Sequence, residues 1–118
     1  MNKKIVLIQD NEQILDIMDQ VLTDEGFNVI PSLTTDPIEE IGDIDPDVVI
    51  VDEHIRGNKK GTKVIEELKS DPATEEVAAV LTSTSTNLPE QAKECKADDY
   101  IEKPFDIGTM VEVVKKNA

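Results

Sequence analysis

The sequence predicts an α/β protein: a doubly wound, five-stranded parallel sheet with helices on both faces, in three layers. Three observations carry that expectation. Five short apolar runs alternate with five segments whose apolar residues recur at helical spacing, which argues for parallel strands joined by right-handed crossovers. The first run, Lys3 to Ile8, is continuous rather than alternating, which suits a strand buried on both faces. Caps and breakers (Asn11, Gly26, Asp36-Pro37, Asp71-Pro72, Asp106) fall where the period changes.

The elements follow in order. Lys3 to Ile8 is a β-branched run of strand length, ended by Gln9-Asp10-Asn11. Asn11 is a good N-cap for a helix carrying Ile14, Ile17, Met18, Val21 and Leu22, with Gly26 as its stop. Phe27 to Ile30 is a second strand, closed by Pro31. Asp36-Pro37 reads as an N-cap with proline at N1, opening a short, weakly apolar helix with Ile38, Ile41 and Ile44. After the turn Asp45-Pro46-Asp47, Val48 to Val51 is the most apolar strand, and it ends at Asp52. A polar loop, RGNKKG, leads to a helix marked by Val64, Ile65 and Leu68. Val77 to Leu81 is the fourth strand, running into Thr82-Ser83-Thr84-Ser85-Thr86. Leu88 to Cys95 is a mostly polar helix with Leu88, Ala92 and Cys95 on one stripe. Tyr100-Ile101 is a short fifth strand, Lys103-Pro104-Phe105 a turn, and Asp106 the cap of a last helix with Ile107, Met110, Val111 and Val114. No linker or internal repeat interrupts this order, so residues 1–118 are expected to form one domain.

Composition excludes several functions. With 12 basic against 26 acidic residues the net charge is −14. That argues against nucleic acid and against anionic membrane surfaces, both of which need clustered Lys and Arg. The apolar runs are too short to span a bilayer. Asp10 cuts the first apolar stretch too short for a signal peptide. One cysteine, Cys95, cannot form an internal disulfide and points to a reducing, cytoplasmic setting.

In a doubly wound sheet the functional crevice lies at the carboxyl ends of the strands. Those ends carry Gln9-Asp10, Asp52-Glu53-His54, Thr82 and Lys103. Any one such residue is ordinarily a cap or a solvated loop group. Two carboxylates, a hydroxyl and an ammonium on one edge are a different matter. Repelling carboxylates suit a hard divalent cation such as Mg²⁺. A carboxylate beside such a cation can act as nucleophile towards a phosphoryl group, with Lys and Thr serving its oxygens.

The segments IVLIQDNEQI (5–14), DVVIVDEHI (47–55), AAVLTS (78–83) and ADDYIEKPF (97–105) resemble the receiver domain of bacterial response regulators, over the whole chain. The resemblance implies a flavodoxin-like (βα)5 fold and a role in two-component phosphorelay signalling. It further implies that Asp52 is the phosphoacceptor. Asp10, Asp52 and the backbone carbonyl of His54 would hold Mg²⁺. Thr82 would hydrogen-bond the phosphoryl group, and Lys103 would pair with it, next to a Lys103–Pro104 peptide that is usually cis. Tyr100 would be an aromatic switch that swings inward as Thr82 moves. The implied partners are a histidine kinase or histidine phosphotransfer protein upstream and a protein target downstream. The implied state is a monomer or a weak phosphorylation-dependent dimer. No catalysis on an outside substrate is expected, only self-phosphorylation and autodephosphorylation.

The chain also departs from the family pattern. Gln9 stands where the first of two adjacent acids is usual, and it is a candidate metal contact only through a water. The acids Asp10 and Asp52 then give the site −2 rather than −3, so Mg²⁺ is expected to bind more weakly. Strand alternation points Glu53 away from Asp52. The loop after Asp52 is one residue longer than usual and carries Arg56 where proline is common. Cys95-Lys96 replaces a pair of small residues. Arg56, Lys59, Lys60 and Lys63 form a local basic patch that reads either as local charge balance or as a docking edge, and His54 either as an exposed loop residue or as a tuner of water access. Two competitors remain. A pseudo-receiver, an interaction module not switched by phosphorylation, is supported by Gln9 and opposed by the retained Asp10, Asp52, Thr82 and Lys103. A flavin- or substrate-directed enzyme lacks its phosphate loop after the first strand, and a dehalogenase-type phosphatase lacks an acid at His54.

Overall fold

Val48–Asp52, the apolar run at the middle of the sequence, is the central strand of the sheet and is buried along its whole length. The structure, a computed structural model, describes residues 2–57 and 59–118. Met1, and Asn58 of the expected polar loop, lie outside the described residues. In chain order the elements are β1 (Lys4–Ile8), α1 (Glu12–Asp24), β2 (Asn28–Ser32), α2 (Asp36–Glu39), α3 (Ile41–Ile44), β3 (Val48–Asp52), β4 (His54–Ile55), β5 (Lys59–Lys60), α4 (Gly61–Ser70), β6 (Ala78–Ser83), α5 (Leu88–Cys95), β7 (Asp99–Glu102) and α6 (Ile107–Asn117).

Five of the strands form one sheet in the order β2-β1-β3-β6-β7, and every pairing in it is parallel. The three inner strands, β1, β3 and β6, bury alternate side chains on opposite faces, which is why their runs read as continuous. Ile5, Leu7, Val48, Ile50 and Val80 meet Leu15, Met18 and Leu22 of α1 and Met110, Val111 and Val114 of α6. Val6, Ile8, Val49, Val51 and Leu81 meet α4 and α5, with Ile38, Ile41 and Ile44 at the margin. A fully buried side chain such as Ile50 stabilises the fold by about 2 kcal/mol through removal from water. The chain leaves β1 for one side of the sheet and β3 for the other. Their carboxyl ends therefore frame the crevice.

The local signals act as expected at both ends of the chain. The Asn11 side chain accepts from the Ile14 N–H at 3.1 Å, and Gly26 takes φ +96° just beyond α1. The Asp106 side chain accepts from the Gly108 N–H at 2.9 Å.

Five expectations are corrected. β2 continues through Pro31 to Ser32, because it is the edge strand and the missing N–H is not needed there. The second helix is two separate turns, α2 and α3, broken at Glu40 (φ −108°, ψ 18°). Its N-cap is Thr35 rather than Asp36. Pro37 and Gly42 give so short a segment little intrinsic helicity. The polar loop after Asp52 contains a two-stranded antiparallel ribbon, with His54 opposite Lys60 and Ile55 opposite Lys59. Finally, β6 runs on to Ser83, because Thr82 and Ser83 still have partners in Ile101 and Glu102 of β7.

Candidate functional site at the strand ends

Sheet register, more than any loop, assembles the site. Asp52 and Thr82 are direct neighbours across β3 and β6. The Thr82 hydroxyl donates to Asp52 Oδ1 at 2.8 Å. Lys103 follows β7, and its backbone N–H donates to the Ser83 carbonyl at 2.9 Å, which extends the sheet ladder by one step. Its ammonium lies 2.5 Å from the same Oδ1. The other carboxylate oxygen, Oδ2, accepts the His54 N–H at 3.1 Å, so the turn after β3 closes onto the side chain it follows. Asp52 is 2% exposed, and buried charge of this kind persists when paired and hydrogen-bonded. The Lys103–Pro104 peptide is cis.

Gln9 and Asp10 directly follow β1 beside this group. The register sets Ile8 opposite Val51, so Gln9 comes level with Asp52. Gln9 is fully buried. Its Nε2 donates to Thr82 Oγ1 at 3.0 Å, while its Oε1 has no partner. Asp10 is half-buried at the mouth. Tyr100, opposite Leu81 on β7, is 37% exposed and so faces outward. His54 is exposed.

Glu53 turns away from Asp52, as strand alternation requires. The Ser83 hydroxyl donates to its Oε2, and Gln91 Nε2 of α5 donates to its Oε1 at 2.8 Å. The Ser83 hydroxyl oxygen also accepts the Ser85 N–H at 2.9 Å. The end of β3, the end of β6 and α5 are thus tied behind the site. The Ser83 hydroxyl above all holds the Glu53 pKa below the usual carboxylate value, against an opposing push from burial. Gln91 and the positive charge of His54 and Lys60 help.

One residue packed against the site escapes the pattern of strand-end side chains. A side chain on Gly61 would place its Cβ 2.0 Å from the Asp52 carbonyl oxygen, so the first turn of α4 packs directly on the backbone of β3. The Gly61 N–H donates to the Glu53 carbonyl at 2.9 Å. A glycine opening a helix after a polar loop was the available signal. Around it, Arg56, Lys59, Lys60 and Lys63 are exposed. Among the described residues none of the four forms an ion pair. Lys59, Lys60, Lys63 and Glu67 line one shallow groove there.

The oxygen-only donor chemistry fits a hard divalent cation: the carboxylates of Asp10 and Asp52, the backbone at His54, and the buried, unpartnered Gln9 Oε1. Among the described residues no cluster of three or more His, Cys, Asp or Glu side chains is present, so any such site relies on few charges. No described helix is long and apolar enough to cross a membrane.

A family profile described as the response regulator receiver domain matches residues 5–115. The chain belongs to that family, a family of signalling domains. Among solved structures it is similar to the chemotaxis response regulator CheY4 of Vibrio cholerae, at 16% identity over 100% of both chains with a TM-score of 0.89. It is similar also to a CheY-like receiver domain protein of Methanospirillum hungatei JF-1, at 22% identity over 98% of this chain and 93% of that one, with a TM-score of 0.86. NtrX of Brucella abortus matches at 27% identity and a TM-score of 0.85, covering 99% of this chain but 27% of its own. These neighbours share the flavodoxin-like fold seen here.

Proposed function

We propose that this receiver accepts a phosphoryl group on Asp52 from a histidine kinase or histidine phosphotransfer protein, and that the modification switches a protein-interaction surface. The observation that carries this is the convergence of the Lys103 ammonium and the Thr82 hydroxyl on one oxygen of a nearly buried Asp52. In the transfer, an Asp52 oxygen forms a bond to phosphorus as the donor's N–P bond breaks, and the electron pair returns to the donor imidazole nitrogen. Lys103 and Thr82, already on the carboxylate, supply a charge and a hydrogen bond to the incoming phosphoryl oxygens. Asp10, Asp52 and the His54 carbonyl would hold Mg²⁺, whose chemistry is to neutralise charge on the phosphoryl oxygens.

Asp52 phosphorylation changes what Thr82 faces, and β7 lies beside it in register. The readout surface is then the groove lined by Tyr100, Glu102, Pro104, Phe105, Asp106 and Thr109, with Tyr100 turning inward. That is a shift between two arrangements of one element. The reading includes one receiver domain over residues 1–118, a cytoplasmic setting, and a monomer or a weak dimer formed on phosphorylation.

The alternative, a pseudo-receiver, is favoured by one observation: both Asp52 oxygens already have donors within the chain, Lys103 and Thr82 on Oδ1 and the His54 N–H on Oδ2. Incubation with acetyl phosphate and Mg²⁺ followed by intact mass separates the two. Gain of one phosphoryl group, absent in Asp52→Asn, is expected; none under forcing conditions leaves the pseudo-receiver.

A further inference from the structure

A threonine hydroxyl has one proton to give and two lone pairs to receive. In this chain both capacities are used, and in a fixed order. Gln9 Nε2 donates to Thr82 Oγ1 at 3.0 Å, and Thr82 Oγ1 donates to Asp52 Oδ1 at 2.8 Å. Gln9 and Thr82 are both fully buried, so water does not compete for either bond. We propose that Gln9 is a positioning residue for phosphoryl acceptance: its amide commits the single Thr82 proton to Asp52 and holds the threonine over the acceptor before a phosphoryl group arrives.

The direction of donation makes glutamine matter. A carboxylate at position 9 could only accept. It would compete with Asp52 for the Thr82 proton, and Thr82 would have two acceptors and one hydrogen. The amide in the opposite orientation would put Oε1 on Thr82 and raise the same conflict. The orientation found satisfies Thr82 and Asp52 together and leaves Oε1 as the atom without a partner. Gln9 thus acts through Thr82, whatever it contributes to a cation.

This inference rests on the phosphoacceptor reading, and the test separates the two. Gln9→Met, similar in size without a donor, and Gln9→Glu, similar in shape but acceptor-only, are each made with Thr82 and with Thr82→Val. The phosphorylation rate by acetyl phosphate is read by intact mass at saturating Mg²⁺, so that altered cation affinity does not enter. Both position-9 variants are expected to slow the reaction about three- to tenfold with Thr82 present, the worth of one net hydrogen bond. In the Thr82→Val background the slowing disappears, because there is no proton left to direct. Equal slowing in both backgrounds, or none with Thr82 present, overturns the proposal. The second readout needs no cation and no phosphorylation. In the metal-free wild-type protein the Gln9 side-chain amide gives its own NMR signals, which Thr82→Val should shift and expose to faster hydrogen exchange. Unchanged signals overturn the proposal even if a position-9 variant fails to fold. A responsive amide in a wild-type chain that takes no phosphoryl group instead overturns the phosphoacceptor reading, and leaves the hydrogen bond established.

Discussion

The Lys103 ammonium lies 2.5 Å from Asp52 Oδ1, and the two side chains are only 10% and 3% exposed. Breaking such a pair on one side leaves a charge with too few partners, which costs more than removing both. Lys103→Met is therefore expected to destabilise the fold by about 2–4 kcal/mol, the lower part of that range reflecting the hydrogen bonds Asp52 keeps from Thr82 and His54. Adding Asp52→Asn should restore part of the loss. Urea unfolding of the single and double variants measures both; a double variant as unstable as the sum of the singles contradicts the coupling.

Gly61 answers to sterics rather than charge. Its missing Cβ would sit 2.0 Å from the Asp52 carbonyl oxygen and 2.8 Å from the carbonyl carbon, both backbone atoms that cannot rotate away. Gly61→Ala is expected to cost about 3 kcal/mol or more, since α4 must lift from the end of β3. The same shift should lower the rate of Asp52 phosphorylation, which a remote destabilising change would not do at temperatures where the protein stays folded.

Lys96 shows the opposite imbalance. It terminates α5 at φ +66°, in the left-handed region where glycine is the usual C-terminal stop. A side chain there costs roughly 1 kcal/mol relative to glycine. Lys96 is exposed and has no ion pair among the described residues, so little opposes the gain. Lys96→Gly should raise stability by about 0.5–1 kcal/mol in urea unfolding, with Asp52 phosphorylation unchanged.

These residues also show where sequence reasoning reaches its limit. The strands, α1, α5 and α6 were legible because apolar period and caps such as Asn11 and Asp106 are local properties. Asp52, Thr82 and Lys103 were legible as strand ends, and the sheet order then forces them together. What was hidden is non-local. Pro31 looked like a terminator because nothing in the sequence marks β2 as an edge strand. The β4–β5 ribbon was hidden by its polar composition. Gly61 and the Glu53–Ser83–Gln91 tie depend on how closely α4 and α5 approach the ends of β3 and β6. Gln9 read as a lost acid, and its bond to Thr82 depends on depth of burial that residue type does not reveal.

Glu53 supplies the pH test. Its folded pKa lies below the ordinary 4.5, held down chiefly by Ser83. A carboxylate with a depressed folded pKa contributes stability that is fully present above the unfolded value and is lost as pH falls through the folded one. The stability difference between wild type and Glu53→Gln should be constant from neutral pH to about 5.5, then shrink as acid is added. Chemical unfolding from pH 7 to 3 measures it. A difference that grows towards low pH, or stays flat to pH 3, contradicts the assignment.

Cation affinity is the last consequence of position 9. Asp10 and Asp52 bring two negative charges to the strand ends, and Lys103 already neutralises part of one of them. Mg²⁺ would therefore compete with an ammonium for the Asp52 carboxylate while one acid of the usual set is missing. Backbone NMR shifts at residues 9–10 and 52–54 during a Mg²⁺ titration should give half-saturation in the millimolar range. Gln9→Asp, by adding a charge close to the cation, should tighten binding at least about threefold, a modest share of what one nearby charge can supply. The same variant removes the amide that orients Thr82. It should therefore bind the cation better and yet react no faster once the cation is saturating. Sub-millimolar binding by the wild-type chain, or a Gln9→Asp variant with unchanged affinity, contradicts this account of the missing acid.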